Sequence, residues 1–207
     1  MLLFIINIVS FCDGEFFRLL LDSLGRQCWL AISAIKAIHD NQKGFLMVDS
    51  LQPQTDHMPA ILVAANEDQF GEQRGLGVSV IAFKVTPKDS DGVFIIENTF
   101  HAKGGPARHL HYTQDEWFYV VEGEFVLEVG QEKFTLHPGD SVLAPRKVPH
   151  VWAFTGSERG RILISFLPAG KMESFFREVT KANAMPPQDP ELWRSHGMEL
   201  LGPPLKV

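Results

Sequence analysis

His109-Leu110-His111, Glu116 and His150 decide how this chain is read. Three imidazoles and one carboxylate are donor types that a first-row divalent ion accepts. Their spacing belongs to strands. Side chains at i and i+2 share a face, so His109 and His111 aim together into one cavity. Glu116 stands five residues beyond His111, the wrong parity for an unbroken strand, and Thr113-Gln114-Asp115 supplies a bulge or loop that resets the phase. The stretch Glu116-Trp117-Phe118-Tyr119-Val120-Val121 then reads as a strand that opens on the carboxylate and turns at Glu122-Gly123-Glu124. His150 follows after a second hairpin and the segment from Gly139 to Pro145.

Short strands with turns between them extend outward from this stretch. Ala60 to Ala65, Val78 to Val85 and Val93 to Glu97 precede it, the last opened by an Asp91-Gly92 turn. Phe125 to Val129 and Lys133 to Leu136 pair around Gly130-Gln131. Val142 to Ala144, His150 to Phe154 and Ile162 to Phe166 complete the series. Regular short strands without intervening helices predict an antiparallel sandwich or barrel. After Pro168-Ala169-Gly170 the period changes: Met172, Phe175, Phe176 and Val179 fall on one helical face, and Pro190 to Leu201 predicts a second short helix.

The stretch resembles the two sequence motifs of the cupin superfamily. His109, His111, Glu116 and Gly123 fit the first, with Gly104 or Gly105 near its leading glycine. Gly139, Pro145 and His150 fit the second, in which Lys147 stands for the usual glycine and Phe154 for the usual asparagine. The resemblance implies an all-β fold, a double-stranded β-helix (jelly-roll or cupin barrel), with an N-terminal helical extension and short C-terminal helices. On that reading residues 1–45 are a helical or anchor-like extension, 46–170 the barrel and 171–207 a helical brace.

Composition sets outer limits. A chain of 207 residues, 45% hydrophobic and 21% charged, is ordinary for one globular domain with extensions. A net charge of −6 and the lack of any Lys/Arg run argue against nucleic acid or anionic membrane as the main partner. Cys12 and Cys28 form no disulfide framework and point to a reducing, cytoplasmic setting. Met1 to Cys12 is apolar but shorter than the ~20 residues a spanning helix needs, and it lacks a positive leader region. Phe16, Leu19, Leu20 and Leu24, followed by Trp29 to Ile38, read as amphipathic helices; a membrane anchor, export or a translated upstream segment stays open.

The expected site is one divalent transition metal ion (Fe, Mn, Ni, Co, Cu or Zn) on His109, His111, Glu116 and His150. Glu116 has a second expected role, taking the substrate proton when displaced. Phe118 and Val120 share a face with Glu116, and Trp152 and Phe154 share one with His150, so these four are expected to line a substrate cavity. His39, His57, His101, His137 and His196 are expected to be ordinary surface or hydrogen-bonded residues. Arg108, Arg146 and Lys147 are placed near the mouth. The set resembles the quercetin-dioxygenase-like branch of cupins, which implies a metal-dependent dioxygenase acting on a small aromatic or enolic (flavonol-like) substrate with dioxygen. The alternatives are a non-oxidative small-molecule binder (isomerase, lyase or non-catalytic) and a storage or scaffold barrel. Family likeness also implies a homodimer.

Overall fold

The computed structural model describes residues 59–207, and Met58–Val207 form one compact unit. The apolar segments, the predicted N-terminal helices, both cysteines, His39 and His57 lie outside the described residues. No helix among the described residues is long and apolar enough to cross a membrane.

Two antiparallel sheets build the unit. One has six strands in the order β1 (Arg74–Gly75), β2 (Ser79–Val85), β3 (Phe94–Phe100), β10 (Gly160–Leu167), β5 (Asp115–Glu122) and β8 (Ser141–Ala144). The other has five: β11 (Met198–Gly202), β4 (Arg108–His111), β9 (His150–Phe154), β6 (Phe125–Val129) and β7 (Glu132–Leu136). Two helices, α1 (Met172–Val179) and α2 (Pro190–Ser195), follow β10. This is the antiparallel two-sheet architecture that the strand pattern predicts, and the jelly roll that the resemblance implies. Phe94, Ile96 and Phe100 on β3, Ile162, Ile164 and Phe166 on β10, and Phe118 and Val120 on β5 alternate inward and are all buried. Phe125 and Leu127 meet them from β6.

The core is aromatic, with edge-on pairs such as Phe83–Phe94 at 4.9 Å and Phe100–Phe125 at 5.6 Å between ring centroids. Each pair of this kind adds ~0.5–1.5 kcal/mol beyond the area it buries. The loop before β4 also approaches β9 closely at Gly105. A Cβ there would sit 2.0 Å from the Trp152 carbonyl oxygen, so only glycine fits.

Two expectations fail. Ala60 to Ala65 forms no strand; no neighbouring strand pairs with it, and Leu62 is 95% exposed. The predicted helix from Pro190 to Leu201 stops at Ser195. Gly197 adopts a left-handed conformation, which ends the helix, and Met198–Gly202 joins the sheet beside β4 instead. Met198 pairs with His111 and Leu200 with His109.

Candidate metal centre

Strand parity brings the four donors together. His109 and His111 alternate inward on β4, where His109 pairs directly with His150, the first residue of β9. The chain leaves β4 at His111, turns through Tyr112 to Gln114, and enters the opposite sheet as β5. That break resets the phase and turns Glu116 inward, as its spacing requires. All four residues are buried, and one donor atom from each lies within 4.8 Å of the others. Glu116 Oε2 is 2.8 Å from His150 Nε2, 3.1 Å from His111 Nε2 and 3.8 Å from His109 Nε2.

The outer ring nitrogens are fixed by oxygens. His109 Nδ1–H donates to the Ala107 carbonyl at 2.7 Å, and His150 Nδ1–H to the Val148 carbonyl at 3.1 Å. His111 Nδ1–H donates to Gln114 Oε1 at 3.2 Å, and the Gln114 amide nitrogen in turn donates to the Ala169 carbonyl, which fixes its orientation. With Nδ1–H held outward, each ring turns its Nε2 toward the centre, where it faces the Glu116 carboxylate. This is the outer-shell arrangement of metal-binding histidines, and the donor set therefore fits a divalent ion.

Protonation agrees. Burial, together with the neighbouring His150, pushes the His109 imidazole down to about 4, against the pull of Glu116. It is thus neutral near pH 7 and available as a ligand. Burial alone would raise the Glu116 carboxyl, but the three imidazoles around it outweigh burial and hold it well below the usual carboxylate range.

A cavity of about 50 Å³ opens on one side of this cluster, reaching His109 and Glu116. A single water needs roughly 10–15 Å³ on this measure, so a small ligand is accommodated. Its walls are mostly aromatic and thioether. Trp152, Phe100 and Phe166 come from the barrel, and Met172, Phe175 and Trp193 from the C-terminal segment. Trp193 lies edge-on to His109 at 5.1 Å and donates Nε1–H to the Pro187 carbonyl, which braces α2 against the segment that precedes it.

Of the four residues expected to line the cavity, Trp152 does so. Phe118 and Val120 face inward but are core residues outside the lining, and Phe154 fills a slot between Gly123, Gly156 and Gly160. The three cations placed at the mouth are engaged elsewhere or exposed. Arg108 bonds Glu128, Arg146 grips Asp115 through two nitrogens, and Lys147 faces solvent. His101, His137 and His196 stay apart from the cluster, with His101 Nε2 3.0 Å from the Gly77 carbonyl. Sequence reasoning missed Ser79, Asn98 and Trp193. Asn98 alone left a signal, a polar residue at the inward parity of Phe94 and Ile96.

A model of the cupin domain matches residues 97–166. An uncharacterized protein of Methanocaldococcus jannaschii is 35% identical over 60 residues, covering 29% of this chain and 48% of that protein. The chain thus spans about half the length of the curated relative it matches. Among solved structures, an RmlC-like cupin from Shewanella frigidimarina is 22% identical over 56% of this chain and 96% of its own, with a TM-score of 0.43. KdgF from Halomonas sp. is 24% identical over 46% and 85%, with a TM-score of 0.41. The span matched to the cupin domain begins within β3, ends within β10 and encloses all four converging side chains; over residues 97–166 the chain is similar to a cupin domain.

Proposed function

We propose that this cupin is a metal-dependent dioxygenase acting on a small aromatic or enolic molecule. The observation that carries the reading is the convergence of three Nε2 atoms and one carboxylate within 4.8 Å at the wall of a largely apolar cavity. A divalent transition ion held there supplies Lewis acidity and, where redox-active, electrons for dioxygen. His109, His111 and His150 provide neutral nitrogens on fixed rings, and Glu116 provides compensating charge. A carboxyl held so far below its usual range is a weak base at rest, so Glu116 accepts a substrate proton only on being displaced. Trp152, Phe166 and the residues of the C-terminal segment exclude water.

Cavity size favours a single-ring or smaller substrate over a tricyclic flavonol. An isomerase or lyase needs a group that takes and returns a proton. Among the described residues, the titratable side chains on the cavity wall are His109 and Glu116, and no further acid stands beside a displaced Glu116 to return a proton at a second carbon, which favours oxidative chemistry. We propose further that residues 46–170, completed by β11, act as the barrel unit and that the chain is a homodimer; light scattering giving a monomer mass would refute the latter.

The test is elemental analysis of protein purified from its host, followed by oxygen-electrode assays with Fe(II), Mn(II), Co(II), Ni(II) and Cu(II) against monocyclic enols and phenols. Uptake is expected with at least one redox-active ion. His111→Ala should lose most bound metal and all uptake while keeping its β-sheet circular dichroism. Stoichiometric metal in that variant would refute the ligand assignment, and uptake with none of the ions would refute the oxygenase.

A further inference from the structure

Besides Ser79, Asn98 is the neutral polar side chain of the cavity that neither the ion nor a hydrogen bond to the protein uses. It points inward from the middle of β3, is 4% exposed and lines the same cavity as His109 and Glu116. Its side-chain oxygen is buried and, among the described residues, has no hydrogen-bond partner. The cross-strand neighbours in register are Ile81 on β2 and Ile162 on β10, neither of which can donate. A leucine would suit such a position; an unpaired buried carbonyl is costly there. The other orphaned side-chain atom among the described residues, Gln69 Oε1, lies outside the cavity lining.

We infer that Asn98 is a substrate-positioning residue whose Oδ1 accepts a hydrogen bond from a hydroxyl or N–H of the bound molecule. The inference rests on the reading of the cavity as a chelating substrate site and narrows its substrate class. Through its ladder partner Ile162, Asn98 is level with Val120, two inward-facing positions along β5 from Glu116. The donor that meets it is therefore remote from the oxygens that chelate the ion. Among the described residues, no Lys or Arg lines the cavity, so nothing besides the ion would balance a second negative charge. Phosphorylated sugars and dicarboxylates are disfavoured. The fitting class is a small molecule with one chelating oxygen pair and a separate hydroxyl or N–H.

Two hydroxypyrones isolate the contact. Kojic acid carries a hydroxymethyl group opposite its chelating oxygens, and allomaltol has a methyl in its place. Full-length protein loaded with redox-inert Zn(II) should bind kojic acid about tenfold tighter by calorimetry, the effect of one satisfied buried hydrogen bond. Asn98→Leu should abolish the preference and leave allomaltol affinity within about twofold. Because the variant removes an unpaired buried oxygen, it should also melt several degrees higher without metal or ligand. Asn98→Ser, which shortens the side chain and withdraws the carbonyl, serves as the second variant.

Equal affinities in the unsubstituted protein, or a preference that survives in both variants, would overturn the role of Asn98 and leave the metal site standing. A lower melting temperature for Asn98→Leu would likewise overturn it by marking a structural residue. Failure of both pyrones to bind zinc-loaded protein would remove the chelating-site reading and this inference with it.

Discussion

Gly105→Ala tests the closest approach of a glycine to neighbouring backbone among the described residues. The added Cβ would meet the Trp152 carbonyl oxygen at 2.0 Å and the Ala153 Cα and Trp152 carbonyl carbon at 2.9 Å each. All three are backbone atoms of β9, so no side chain can swing aside. Ordinary contact distance demands a retreat of more than ~1 Å by a strand packed on both faces. The reciprocal hydrogen bonds beside it, Gly104 N–H to the Phe154 carbonyl at 3.2 Å and Phe154 N–H to the Gly104 carbonyl at 2.9 Å, would be strained or lost. Overpacking of this kind costs ~1–3 kcal/mol and each weakened hydrogen bond ~1 kcal/mol. A loss on the order of 3 kcal/mol should lower the melting temperature by roughly 10 °C for a domain of this size. The same strand carries His150 at one end and Trp152 in its middle, so ion affinity should fall as well. Thermal unfolding with and without Zn(II), and competition with a chelating dye, read the two effects separately. An alanine variant with unchanged melting temperature and unchanged affinity would refute the packing described here.

Two further predictions concern charge and backbone. In metal-free protein the His109 imidazole is held down to about 4, against roughly 6.5 in an unfolded chain, so the unfolded state takes up its proton first as pH falls. Stability is therefore fully present above about 6.5 and declines toward 4, by up to roughly 3 kcal/mol for this group. Glu116, held below its usual range, acts in the same direction at lower pH, since its contribution is lost as pH falls through its folded-state value. Urea titrations of chelator-treated protein between pH 7 and pH 4.5 should show a falling midpoint, and a flat profile would refute the burial argument. Lys147 sits at φ 65°, a left-handed conformation at the position where the family motif has glycine, and donates its N–H to the His111 carbonyl at 2.7 Å. Lys147→Gly should stabilise the protein by ~0.5–1 kcal/mol, the relief of strain exceeding the added freedom of the unfolded chain; a lower denaturation midpoint would contradict this.

Local chemistry made much of this legible. The i, i+2 spacing of His109 and His111 set their common face, and the odd interval to Glu116 required the turn found at Tyr112 to Gln114. Alternation predicted most of the strands. What it could not supply is which inward row meets the cavity. Phe118 and Val120 have the correct parity and still lie in the solid core, because depth along a strand depends on the register of its neighbours. The strand at Met198–Gly202 was hidden for a related reason. Its five residues become a strand only because the open edge of β4 accepts them, and the sequence around Pro190 carries a genuine helix start in Asp189, whose carboxylate caps the Glu191 N–H. Trp193 and Asn98 became visible only once distant segments were folded onto the barrel.

The arrangement of β4 bears on how the protein matures. This strand holds two of the imidazoles, yet it pairs with β9 at a single position and with β11 at four. Tyr112 and Glu199, joined by a hydrogen bond, are separated by 87 residues of chain. At ~5–20 residues per second, translation needs on the order of ten seconds to deliver the second partner after the first. Until then the histidine ribbon has little to moor it, and the nascent polypeptide is a poor chelator. A metal ion bound at this site would therefore be held fully only once the segment carrying β11 has been added to the sheet.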